Sequence, residues 1–255
     1  LTDDASGIRP EVQCLPIPSL QLPPGIPERG WTKLTTFSAD LHGLRGTALF
    51  LDVDVVITGP LDEFFTYPGE FLIIHDHKRP WRITGNSSVY RFELGAHPDV
   101  LEYFRNNFER IRKQFRNEQA YLSDVLHKQG KLKYWPAAWC PSFKYHCIPR
   151  WPTNYWRPPF VPPGARIVIF HGECNPPDAL AGRRPLTSPI GGKPLAAMPG
   201  GERACFYLRG IDPEGLPVRQ PLGGGVLTEE VPFGDVMALL RDHPKGAAIA
   251  VETSG

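Results

Sequence analysis

The chain has 255 residues, with 28 Lys and Arg against 27 Asp and Glu and a formal net charge of +1. That length holds one large domain or two small ones, and a balanced charge without a basic run or an arginine-rich helix carries no nucleic-acid footprint. No apolar stretch approaches the ~20 residues that span a bilayer.

The opening residues do not read as a signal peptide. Five widely spaced cysteines without a Cys-x-x-Cys pair argue against a disulfide framework. A reducing, cytoplasmic location is therefore expected. The 29 prolines cluster in Leu15–Pro27, Trp135–Pro163 and Pro176–Pro221, which predicts long extended loops there.

Leu1–Gly7 reads as a strand end and a turn, as though a preceding unit were absent. Glu11–Pro16 is a candidate short strand. Apolar residues at Trp31, Leu34, Phe37 and Leu41 have helical spacing, closed by Gly43 and Gly46. Thr47–Ile57 is a near-continuous apolar run, expected to be one strand buried on both faces and interrupted only by Asp52 and Asp54. Leu61–Phe65 reads as a helical turn. Glu70–Ile74 is a second strand, ending in His75-Asp76-His77, and Ser88–Phe92 a third, entered through Gly85-Asn86-Ser87.

A strong helix starts at Pro98-Asp99 with Val100, Phe104, Phe108, Ile111 and Phe115 on one face. Asn117 is placed to cap a second helix from Glu118 to Lys128, stopped by Gly130. Lys131–Trp135 and Arg166–Phe170 complete the strands, the latter followed by His171-Gly172. Trp139–Pro163 reads as an ordered aromatic loop packed on the sheet edge. After about Arg183 glycine and proline dominate, with Cys205–Arg209, Phe233–Arg241 and Ala247–Val251 as candidate pieces of a small appendage. The expected organisation is an α/β domain over residues 1–182 and an extension of unknown role over residues 183–255.

Chemistry concentrates on the Asp52 strand. An ionised carboxylate in a buried strand costs several kcal/mol unless it is compensated. Two carboxylates at i and i+2 point the same way from a continuous strand, so each raises the cost of the other. A divalent cation resolves the conflict, and hard oxygen ligands suit Mg²⁺ or Mn²⁺. The plainer reading is that Asp52 and Asp54 end a strand and open a turn towards Gly59-Pro60. His171, after a late strand, would supply an imidazole and favour Mn²⁺ over Mg²⁺. Asp52, Asp54, Asn86, Ser87, Glu118, Gln119 and His171 fall at strand ends or helix starts, positions that converge on one rim of an open α/β sheet.

With Asp52-Val-Asp54, Asn86-Ser87-Ser88, Glu118-Gln119 and Phe170-His171-Gly172 in this order, the chain resembles the metal-dependent GT-A glycosyltransferases over roughly residues 1–180. The resemblance is to the retaining, glycogenin- and galactosyltransferase-like group and its bacterial relatives. It implies a GT-A type nucleotide-diphospho-sugar transferase sandwich with a mixed central sheet, lacking the usual first βαβ unit. It implies a UDP-sugar donor, an unidentified sugar, lipid or protein acceptor, and Mn²⁺ or Mg²⁺ as cofactor.

Carried over by position, Asp52 would contact ribose or metal, and Asp54 and His171 would bind the metal. Lys33, Asn86, Ser87 and Gly172 would line the donor site, and Glu118 and Gln119 would sit beside the anomeric carbon. The chain departs from the family in two further ways: Asn175 stands where a phosphate-gripping lysine is expected, and Glu118 where the family has Asp.

Each assignment has a plainer counterpart. Lys33 could snorkel along its helix, Asn86-Ser87 could be a turn, and Glu118-Gln119 could be the polar first turn of a helix. His75-Asp76-His77 resembles a metal motif but reads better as the polar end of a strand. Cys140, His146 and Cys147 do not match zinc spacing. Two rival functions follow: a catalytically inactive nucleotide-sugar-binding protein, and a metal-dependent phosphohydrolase built on Asp52, Asp54, His75 and His77.

Overall fold

The computed structural model describes residues 1–8, 10–150, 153–155, 157, 159–172, 175–176, 179 and 247–251. The fold is mixed α/β and divides into two units. The first takes Leu1–Val53, Leu61–Trp135 and Val231–Gly255, the second Asp54–Pro60 and Pro136–Glu230.

The first unit is built on a mixed sheet. Its strands are β1 (Thr47–Asp52), β3 (Phe71–His75), β4 (Gly85–Glu93), β5 (Leu132–Tyr134) and β7 (Ala247–Val251), in the order β5-β3-β4-β1-β7. β4 runs antiparallel to both β1 and β3, while β5 and β7 pair in parallel with β3 and β1. β1 and β3 are therefore parallel to each other, and both end on the same edge of the sheet. The second unit contains β2 (Val55–Ile57) and β6 (Ile167–Ile169), paired antiparallel with Val55 opposite Ile169.

The apolar run at 47–57 is thus not one strand. A turn at Val53-Asp54 divides it into β1 and β2, which belong to different sheets. Asp52 and Asp54 therefore do not share a strand face. Two adjacent carboxylates that would have crowded one face are separated by a change of direction instead.

Trp31, Leu34 and Phe37 do line one buried face, but of a 3-10 helix, Arg29–Phe37, rather than an α-helix. Their spacing of three is the period at which 3-10 side chains eclipse. The hydroxyls of Thr32, Thr35 and Thr36 each donate to the carbonyl three residues back, at 2.8–2.9 Å, which satisfies acceptors that a 3-10 turn holds poorly. Glu11–Pro16 forms no strand.

Helices α1 (Asp62–Thr66), α2 (Pro98–Gln114) and α3 (Glu118–Lys128) complete the first unit. α2 buries Val100, Leu101, Phe104 and Ile111 and kinks at Asn107. α3 has the bounds its sequence predicts, and Asn117 Oδ1 accepts from the Ala120 N–H at 3.3 Å. The core packs the 3-10 helix, α2 and α3 against the sheet face that carries Ala48, Phe50, Ile73, Tyr90 and Phe92. Stacked rings hold this layer together, Phe50 on Tyr90 at 4.4 Å and Trp31 on Phe104 at 4.9 Å.

In the second unit, residues 139–142 pack along β6 as the sequence suggests. The N–H groups of Arg166 and Ile167 donate to Trp139 O, and that of Ile169 to Pro141 O. A π-helical turn, Phe143–Cys147, follows and closes a small core of Phe143, Cys147, Val168, Phe170 and Ala179. Cys14, Cys140 and Cys147 form no disulfide. The candidate pieces Cys205–Arg209 and Phe233–Arg241 lie outside the described residues. Ala247–Val251 is a strand and joins the sheet of the first unit as β7. Among the described residues no helix is long and apolar enough to cross a membrane.

Candidate functional site

In the first unit the polar groups gather where β1 ends. Asp52 is the last residue of β1, on the face of Phe50, and meets Lys33 from the 3-10 helix. Lys33 Nζ lies 2.6 Å from Asp52 Oδ1 and 2.8 Å from Oδ2, with side-chain exposures of 11% and 16%. The ammonium also lies 5.5 Å from the Phe50 ring centroid. The cation that Asp52 requires for burial is therefore present within the chain.

Thr36, one 3-10 turn beyond Lys33, shares a 3.0 Å hydrogen bond with the Tyr90 hydroxyl. Burial pushes that hydroxyl far above the usual tyrosine range, and the charges of Asp52 and Glu118 push it further against the Thr36 bond. Tyr90 thus sits within electrostatic reach of both carboxylates.

Glu118 is brought there by α3 and by an irregularity in β4. The β3–β4 register slips from Ile73↔Tyr90 to Ile74↔Asn86, so Ser87, Ser88 and Val89 have no partner on β3. Strict alternation would put Ser87 and Tyr90 on opposite faces. The bulge instead lets Ser87 meet the first turn of α3. Ser87 Oγ donates to Glu118 Oε1 at 2.8 Å, and its N–H donates to Gln119 Oε1 at 3.2 Å. Ser123 Oγ accepts from the Gly85 N–H at 2.8 Å and donates to Gln119 O at 2.6 Å.

Glu118 is buried. Gly30 approaches it so closely that a Cβ there would stand 3.2 Å from Oε2. Asn86 Oδ1 accepts from the Ser88 N–H at 2.8 Å, a local turn within the bulge. The first unit therefore brings together Lys33, Asp52, Ser87, Glu118 and Gln119, with Asn86 shaping the bulge beside them.

In the second unit Asp54 and His171, more than a hundred residues apart in sequence, are neighbours of one ladder. The β2–β6 pairing continues one step past Val55↔Ile169, where the Phe170 N–H donates to Asp54 O at 3.3 Å, and His171 is the next residue. The His171 ring is held by Ser142, whose Oγ lies 2.8 Å from Nε2, and packs 5.4 Å from the Tyr145 ring. Ser142 is fully buried, and its N–H donates to His146 Nδ1 at 3.0 Å. Burial lowers the His146 pKa below the ordinary histidine value. Gly172 follows in an exposed left-handed turn at φ +72°. Asn175 is exposed.

Among the described residues no group of three His, Cys, Asp or Glu side chains is arranged to hold a metal ion. Asp54 and His171 adjoin along the backbone of the ladder, but successive ladder positions direct their side chains to opposite faces, and His171 Nε2 already lies against Ser142 Oγ. The His75 motif supplies no metal centre, since His75 Nε2 lies 2.9 Å from Arg82 O and its ring packs 4.3 Å from Tyr134.

Sequence reasoning did not single out Thr36, Tyr90, Ser142 or Gly30. Thr36 and Gly30 flank Lys33 on the same helix, and Ser142 precedes the π-helical turn. Only the fold brings each of them to its partner. No known family model matches the chain, and no curated protein matches it either.

Proposed function

We propose that the chain is a glycosyltransferase of GT-A type that takes a sugar from a UDP-sugar donor. The observation that carries the reading is the Lys33–Asp52 pair and the Ser87–Glu118–Gln119 network, gathered around Tyr90 at the carboxyl edge of a mixed sheet. Sugar nucleotides need such a rim: carboxylates and amides to fix hydroxyls, and a cation to offset phosphate charge. Lys33 and Asp52 orient the ribose or sugar hydroxyls. Glu118, held by Ser87 with Gly30 packed close against it, would face the positive charge that develops on the anomeric carbon. By the resemblance, Asp54 and His171 are the residues that would hold a divalent ion, which as a Lewis acid would offset charge on a diphosphate. The acceptor and the cytoplasmic setting belong to the same proposal.

Calorimetric titration with UDP, with and without Mn²⁺, tests this reading. Metal-dependent binding that weakens in Asp54→Ala is expected, and UDP binding indifferent to metal counts against it. A second reading, donor binding without transfer, is favoured by the neutralisation of Asp52 within the chain. Donor hydrolysis that is lost in Glu118→Gln while UDP binding persists would exclude it.

A further inference from the structure

The loop from β3 to β4 carries a surface that the site does not use. Lys78, Arg79, Pro80, Trp81, Arg82 and Ile83 are exposed in succession, and Trp81 is 77% exposed. No Asp or Glu lies among these six, and no carboxylate among the described residues pairs with Lys78, Arg79 or Arg82.

The loop is braced rather than slack. Asp76 N–H donates to Thr84 O, Lys78 N–H to Asp76 Oδ1, Arg79 N–H to Asp76 O and Arg82 N–H to Arg79 O, giving two successive turns. His75 and Tyr134 bind the carbonyls of Arg82 and Ile83. Trp81 is thus held outward by a hydrogen-bonded frame. Because β3 is parallel to β1, the loop leaves the sheet at the edge where β1 ends in Asp52.

We infer that this loop docks the protein on an anionic lipid surface. Tryptophan favours the headgroup level of a bilayer, where its ring is buried and its N–H stays wet. Three cations around it add attraction to anionic headgroups, and Ile83 extends the apolar tip. A carbohydrate site would need carboxylates or amides around the ring to bond hydroxyls. The six exposed residues have none, and Asp76 is turned back onto the chain. The inference does not depend on the proposed transfer chemistry.

Co-sedimentation of the full chain with phosphatidylcholine vesicles, with and without phosphatidylglycerol, tests it. Binding to the anionic vesicles that weakens with salt is expected. Replacing Lys78, Arg79 and Arg82 together by Gln should cost about fivefold per cation, about a hundredfold in all. Trp81→Ala should weaken binding and remove a blue shift of the fluorescence seen on vesicle addition. The same charge change at Arg112, Lys113 and Arg116 should leave binding unaltered; an equal loss there would assign the effect to overall charge and overturn the docking site. Equal affinity for neutral and anionic vesicles, or no affinity for either, overturns the inference. So does binding to a soluble polyanion such as heparin without vesicle binding, which would assign the loop to anionic polysaccharide.

Discussion

Replacing Lys33 by Met removes the ammonium that, among the described residues, touches Asp52, while keeping most of the apolar stem. At 2.6 Å and an effective dielectric of ~20, the pair attracts by about 6 kcal/mol. Desolvation of both groups offsets most of that, so the net worth of the intact pair is small. The cost of breaking it is not small, because Asp52 is left charged with 16% of its side chain exposed. Loss of one partner of a buried pair costs about 3–5 kcal/mol, a fall of about 10 °C in melting temperature for a domain of this size. Asp52→Asn in the Lys33→Met background removes the stranded charge and should recover about half of the loss. The assay is a double-mutant cycle of urea midpoints at neutral pH. Additive single effects, or a cost below ~1 kcal/mol for Lys33→Met, would refute the claim that this ammonium compensates Asp52.

Arg91 is buried and donates to the carbonyls of Phe64, Phe65, Tyr67 and Gly69, tying the end of α1 to the start of β3. Arg91→Lys cannot reproduce that fork and should cost about 2–3 kcal/mol in urea unfolding. Gly85→Ala would put a Cβ 2.7 Å from Ile73 Cγ2 in a packed strand pair. About 1–3 kcal/mol of destabilisation is expected in a thermal melt.

His97, buried at the start of α2, has its pKa lowered by burial and by Lys131, against the opposite pull of Asp99 and Glu70. The unfolded chain therefore protonates this group first. Stability should fall as pH drops below about 6.5, and a comparison of urea midpoints for wild type and His97→Asn should show that slope disappearing. Asn117→Ala should cost about 1 kcal/mol at the α3 cap and weaken UDP binding by loosening Glu118 and Gln119, read by calorimetry.

How much of this was legible depends on how local the cause was. α3 was readable to the residue because Asn117, an acidic first turn and Gly130 state both ends within its own sequence. The 3-10 helix was half readable: Trp31, Leu34 and Phe37 show a buried face, but a spacing of three residues does not by itself separate a 3-10 from an α-helix. The end of the strand at Asp52 was one of two readings the sequence allowed; that the apolar run then enters a second sheet was not readable, since its pattern is the same whether it continues or turns. The backbone bond between Phe170 and Asp54 was not readable, since it joins segments more than a hundred residues apart. The reach of Ser87 to Glu118 was not, because it depends on a slip in pairing that alternation cannot reveal. Lys33 was expected to face a donor; that it balances Asp52 required the helix to be seen beside the strand end.

The pairing of β2 with β6 also constrains how the chain acquires its structure. As the polypeptide leaves the ribosome, Val55–Ile57 emerges long before Ile167–Ile169 exists to receive it. Closing so wide a loop is entropically slow, and the waiting segment is a short, strongly apolar strand with unpaired edges. During synthesis this segment is the natural target for a holding chaperone, and the place where premature association of nascent chains would begin.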